Sequence, residues 1–96
     1  DMNILNSTQM KTLLDEGAQL VDVRSAEEYG RGAAPGAKNV PLHIIPHVAH
    51  EHLDMAKPVV LYCMSGGRSA QAQMILQSLG FGSVHNAGGL NNVLSA

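Results

Sequence analysis

Cys63 is the only cysteine of the chain, and it opens the stretch Cys63-Met64-Ser65-Gly66-Gly67-Arg68-Ser69 between an apolar run and a segment of helical character. A thiol at a strand-to-helix junction meets the free N–H groups and the positive dipole end of the helix that follows. That field favours the thiolate, which is the nucleophilic form. Gly66 and Gly67 can take positive φ, turning successive N–H groups inward as an anion-binding nest. Arg68 adds a fixed positive charge and a fork of donors suited to an oxyanion. Met64, Ser65 and Ser69 complete a loop able to contact a small anionic substrate, and Ser69 can also cap the helix. The bland alternative is an inert, buried cysteine beside a tight turn. Thiol, glycine pair and arginine together at a helix start favour chemistry instead.

The loop has to be held by regular elements, and the sequence supplies them in alternation. Asn6-Ser7-Thr8-Gln9 is a helix start that Asn6 or Ser7 can cap with Gln9 placed to reach back, Met10, Leu13 and Leu14 form the apolar stripe, and Gly17 is the stop. Residues 19–23 (Gln-Leu-Val-Asp-Val) read as a buried strand. Ser25-Ala26-Glu27-Glu28 is a capping box for a short helix ending near Gly30 to Gly32, and Pro35-Gly36 marks a turn before an extended piece at Asn39-Val40. Helical spacing runs from His43 to Leu53, with Pro46 breaking or restarting it. Residues 58–62 (Pro-Val-Val-Leu-Tyr) form the clearest strand, apolar on both faces and so central in a parallel sheet. Ser69 to Leu79 is the clearest helix, with Ala70, Met74, Ile75 and Leu79 on one side and Gly80 as its stop. A short strand at Val84-His85-Asn86 and a short helix after Gly88-Gly89 close the chain. The expected fold is therefore α/β: a three-layer domain with a small parallel sheet flanked by helices. Open sheets of this kind place ligands beyond the carboxyl ends of their strands, which is where Cys63 falls.

At 96 residues the chain suits one domain, spanning 1–96. A net charge of −2 and only three aromatics, Tyr29, Tyr62 and Phe81, give no basis for nucleic-acid binding. No apolar run approaches membrane-span length, and no block of like charges suggests a membrane surface. A lone cysteine excludes an internal disulfide and a multi-thiolate zinc site. It fits a reduced, cytoplasmic setting; because the chain starts at Asp1 rather than Met, a periplasmic setting with a removed leader is the alternative.

Beyond the loop, several segments carry a wider pattern. Leu20-Val21-Asp22-Val23-Arg24, Glu28-Tyr29, Gly32 to Ala37, Asn39-Val40-Pro41, Cys63-x-x-Gly66-x-Arg68-Ser69, Leu79-Gly80-Phe81 and Asn86-Ala87-Gly88-Gly89-Leu90 together resemble the signature of single-domain rhodaneses, the thiosulfate sulfurtransferases, in their small bacterial stand-alone form. The likeness covers residues from about 19 to 90. It implies the rhodanese-like fold and a two-step transfer. Cys63 takes the sulfane sulfur of thiosulfate or a similar donor as a persulfide, then gives it to cyanide, a cellular thiol or a thiol on a protein. Residues 64–69 would bind the substrate, with Asp22 and Arg24 in support, and no cofactor is implied. One departure is Ala33-Ala34 where the family has His-Ile, which bears on packing or substrate fit rather than on sulfur chemistry.

Other readings compete. Cysteine phosphatases use Cys-x5-Arg to ring a phosphate; here four residues separate Cys63 from Arg68, leaving room for a sulfur atom and crowding a phosphoryl group. A catalytically silent rhodanese-like module that binds a partner is the second alternative, though such modules generally lose the cysteine. His43, His47 and His50, with His52 close by, have a spacing that could align imidazoles on a metal, but Pro46 argues against one continuous helix, and surface histidines are the preferred reading. Arg24 and Glu28 are spaced for an ion pair, and Asp22 can accept backbone or hydroxyl hydrogen bonds.

Overall fold

In a computed structural model, described over residues 3–96, the elements alternate as the sequence expects. Helix α1 spans Ser7–Asp15, strand β1 Gln19–Asp22, helix α2 Ala26–Arg31 and strand β2 Lys38–Asn39. A 3-10 turn at Leu42–Ile44 leads into α3, Ile45–His52; then come β3, Val59–Cys63, α4, Gly67–Ser78, β4, Val84–Gly89, and α5, Leu90–Leu94. The starts are chemically explicit. Asn6 and Gln9 exchange side-chain and backbone hydrogen bonds at α1, and Ser25 and Glu28 do the same at α2. Pro46 occupies the first turn of α3, where its missing N–H costs no helical bond, so the chain restarts there as a new helix.

The four strands form one parallel sheet in the order β2-β1-β3-β4. All five residues of β3 are buried, and period-two alternation sends them to two cores. Val59, Leu61 and Cys63 join Val21, Val23, Ile45, Ala49, Ala72 and Leu76 under α3 and α4. Val60 and Tyr62 join Met10, Leu20 and Ala87 under α1, α2 and α5. Each fully buried aliphatic in that strand contributes about 1.5–3 kcal/mol. After β1 the chain builds outward to β2 on one side, then returns to build β3 and β4 on the other. The strand order therefore reverses between β1 and β3, and the crevice beyond their carboxyl ends is where such sheets hold ligands. Asp22 ends one of these strands and Cys63 the other.

Two elements differ from expectation. Helix α4 does not bury Ala70 and Met74. Its inward line is Ser69, Ala72 and Leu76, with Ile75 and Leu79 packed beside it, while Met74 is 70% exposed. Apolar residues lie all around this helix, so periodicity cannot choose its face; the small Ser69 and Ala72 can lie close to the sheet. Strand β4 runs on through Gly88 and Gly89 instead of ending at Asn86, because Gly89 pairs with Cys63.

Candidate active site

Cys63 is the last residue of β3, and its Sγ lies beneath the loop, with the residue 1% exposed. Opposite it the ladder slips. Leu61 pairs with Asn86 but Cys63 pairs with Gly89, so three steps on β4 match two on β3. Such a bulge re-aims a side chain at a strand end. Met64 and Ser65 form an exposed crest, and Gly66, at φ 104, turns the chain into α4. Gly66 N–H donates to Sγ at 3.0 Å and Ser69 N–H at 3.4 Å; the Ser69 hydroxyl lies 3.4 Å away. Burial by itself pushes the Cys63 thiol up. Hydrogen bonds from the Ser69 hydroxyl and from the Ser69, Ser65 and Gly66 amides outweigh it and bring the thiol below its ordinary value. Only one of the two glycines takes positive φ: Gly67 begins α4 instead.

Ser69 is not a cap. It sits inside α4, wholly buried, and its hydroxyl also reaches Asn86 Oδ1 at 2.7 Å and the Gly66 carbonyl at 3.1 Å. A hydroxyl has one proton to give, so donation to the thiolate means release of those acceptors. Asn86 Oδ1 keeps the Gly88 N–H at 2.9 Å when that happens, and Asn86 Nδ2 ties the Gly66 carbonyl at 3.1 Å. Asn86 thus ties the Gly66 turn above the thiol to β4, a role that spacing along the chain does not show.

Gly89 has ordinary φ; what it needs is space, because a Cβ there would overlap the Met64 carbonyl oxygen. Gly89→Ala is therefore expected to lose about 1–3 kcal/mol of stability and to alter the rate at which iodoacetamide modifies Cys63. Parental stability and an unchanged modification rate would show that the loop is not braced by this approach.

The charges around the loop pair differently from the sequence spacing. Arg24 does not meet Glu28. Its Nη2 lies 2.7 Å from Asp22 Oδ2, its Nε 3.0 Å from both carboxylate oxygens, and its Nη2 also donates to the Gly32 carbonyl at 2.7 Å. The i,i+4 rule fails because Arg24 precedes the Ser25 cap and is not on the helix that carries Glu28. Glu28 instead binds Arg68, Oε1 to Nη1 at 2.6 Å and Oε2 to Nη2 at 3.0 Å. The expected open cation of the loop is a closed pair. The Arg68 hydrogen bonds are the main reason that Glu28 is drawn down to about 2. Its contribution to stability is full above the ordinary carboxylate value and is lost as pH falls toward 2.

Asp22 is fully buried, and Tyr62 O–H donates to its Oδ2 at 2.7 Å. Burial, first of all, holds the Tyr62 phenol up at about 12. The Ala34 N–H donates to the same phenol oxygen at 3.0 Å, so the backbone of the Ala33-Ala34 segment is pinned to the sheet whatever side chains it carries. A depression of about 310 Å³ is lined by Val23, Ser25, Pro41, Leu42, His43 and Arg68. A larger one of about 540 Å³ lies at the β4 edge, lined by residues that include Leu5, Thr8, Gln73 and His85 but none of 63–69. Size does not select it, since the polarised thiol lies elsewhere. His43, His47, His50 and His52 are all exposed, and His50 stacks on Phe81 with ring centroids 5.5 Å apart. Among the described residues no three His, Cys, Asp or Glu side chains gather as a metal site, and no helix is long and apolar enough to cross a membrane.

Fold and loop together define an α/β domain that presents one hydrogen-bonded thiol at a sheet's topological switch point. The family model for the rhodanese-like domain matches residues 6–96. A sulfurtransferase of Allochromatium vinosum is 39% identical over 74 residues, covering 77% of this chain and 68% of its own length. The thiosulfate sulfurtransferase PspE of Escherichia coli is 38% identical over 74 residues, 76% of this chain and 71% of its own. The human single-domain sulfurtransferase structure superposes with TM-score 0.77 at 29% identity over 99% of this chain and 97% of that one. A rhodanese from E. coli determined with anions gives TM-score 0.74 at 36% identity over 80% and 92%. The chain belongs to the rhodanese-like family, and it is an enzyme of the sulfurtransferase class.

Proposed function

We propose that the protein moves a sulfane sulfur from thiosulfate or a similar donor to a thiol or cyanide through a persulfide on Cys63. The observation that carries this is the hydrogen bonding of Sγ by the Gly66 and Ser69 amides at the start of α4. A thiolate stabilised in this way can act without a paired general base. It attacks the outer sulfur of thiosulfate, the S–S bond of the donor breaks, and sulfite leaves with the electron pair. An acceptor thiolate or cyanide then attacks that sulfur, and Cys63 leaves as thiolate, ready for another cycle. With no second cysteine in the chain, the sulfur has to go to another molecule. The names of the E. coli and human relatives, thiosulfate sulfurtransferase and thiosulfate:glutathione sulfurtransferase, support this choice of donor and acceptor. Phosphate chemistry is disfavoured by the short loop.

With thiosulfate and cyanide, the purified protein is expected to release sulfite and thiocyanate in equal amounts; release of neither would remove the reading. A second expectation concerns the thiol itself. Alkylation of Cys63 by iodoacetamide should rise with pH and level off at a midpoint below the ordinary cysteine value of about 8.5. A midpoint at or above that value, or an inert thiol, would favour a passive binding module.

A further inference from the structure

Both arginines at the carboxyl edge of β1 and β3 are closed by carboxylates. Asp22 holds Arg24, and Glu28 holds Arg68 through two hydrogen bonds of 2.6 and 3.0 Å. The Arg68 pair is the open one: its side chains are 39% and 23% exposed, whereas those of Arg24 and Asp22 are 3% and 0% exposed. Arg68 is the second residue of α4, directly behind the Cys63 loop, and the two are close enough for the thiolate to act on the guanidinium electrostatically. Glu28 is itself anchored, because its Oε1 also accepts the Ser25 N–H and O–H at 3.2 Å in the capping box. The carboxylate is thus held in place by its own helix and presented to Arg68 from across the sheet end.

We propose that Glu28 is a specificity-determining residue that competes with the anionic donor for Arg68. An arriving sulfonate group has to compete for the guanidinium with a carboxylate already seated on both of its terminal nitrogens. Glu28 therefore keeps the loop from acting as an indiscriminate anion trap, at the expense of affinity for doubly charged donors. The claim about donors rests on the sulfurtransferase reading above; the hold of Glu28 on Arg68 does not.

The test is Glu28→Gln, which keeps an amide oxygen for the Ser25 cap and removes the charge. Its first readout needs no turnover: the ratio of Cys63 alkylation rates by iodoacetate and iodoacetamide. Thiolate nucleophilicity cancels in this ratio, and the potential at the loop remains. Freeing one cation at the loop should raise the ratio about three- to tenfold at low salt. Added salt should erase that gain. In the same variant the KM for thiosulfate should fall by a similar factor with kcat little changed, and adding Arg68→Gln should abolish both gains. An unchanged or lower ratio, or a raised KM, would overturn the proposal and would mean that Glu28 positions Arg68 for the donor. If the melting curve shows that Glu28→Gln does not fold, Arg68→Gln alone decides. It leaves the carboxylate uncompensated, so the ratio must fall, and an unchanged ratio overturns the proposal. Absence of thiosulfate turnover in the parent protein would count against the sulfurtransferase reading, while the alkylation ratio would still report on Glu28.

Discussion

Asp22→Ala is expected to lower the unfolding free energy by about 3–5 kcal/mol, the range for removing one partner of a buried ion pair. Asp22 is 0% and Arg24 2% exposed, so solvent cannot replace the lost carboxylate. The substitution removes acceptors from the Arg24 N–H at 2.9 Å, the Arg24 guanidinium and the Tyr62 hydroxyl at once. The guanidinium would keep its hydrogen bond to the Gly32 carbonyl, along with its place over the Tyr62 ring. Tyr62 would retain the Ala34 N–H as a donor but have no acceptor for its own proton. Asp22→Asn keeps hydrogen-bonding atoms without the charge and should fall between the two. Urea unfolding of the three proteins reads this directly. A loss under about 1 kcal/mol for the alanine variant would place this network among surface-like ion pairs.

Cys63→Ser is expected to reduce sulfur transfer by about a thousandfold or more, as removal of a covalent nucleophile does, with little change in melting temperature. The hydroxyl of serine is not ionised by the hydrogen bonds that suffice for a thiol, and oxygen cannot carry a sulfane sulfur in the same way. Sγ is buried and the two side chains are nearly the same shape, so the Val59, Leu61 and Ala72 core should tolerate the change. The Gly66 and Ser69 amides would keep an acceptor. Turnover of thiosulfate and thermal melting, measured on the same preparation, separate the chemical role from a packing role. Substantial activity in the serine variant would mean that sulfur passes through some other group.

Local chemistry made much of the molecule legible in the sequence. The capping boxes at Asn6 and Ser25 depend on residues three apart, and the all-apolar run of β3 states its own burial. The same holds for the thiol at the head of α4, where the loop residues are neighbours in the chain. What could not be read there are contacts made across the sheet end. Glu28 and Arg68 are 40 residues apart, and Asn86 reaches Gly66 and Ser69 only because β4 lies beside β3. Helical spacing matches Arg24 with Glu28, yet Arg24 belongs to the strand end, where Asp22 two residues away is its neighbour. The inward face of α4 is hidden for another reason: the small Ser69 and Ala72 share the contact with Leu76 while Met74 remains outside. The requirement at Gly89 is likewise spatial, set by the Met64 carbonyl and not by the dihedral angles of the glycine.

In the proposed cycle Cys63 carries the transferred sulfur. Mass spectrometry of the protein after exposure to thiosulfate, followed by gel filtration, tests it most directly. The expected result is a gain of one sulfur atom, located on the peptide that contains Cys63, absent from Cys63→Ser and removed by cyanide. An unmodified Cys63 in a protein that still releases sulfite from thiosulfate would contradict it.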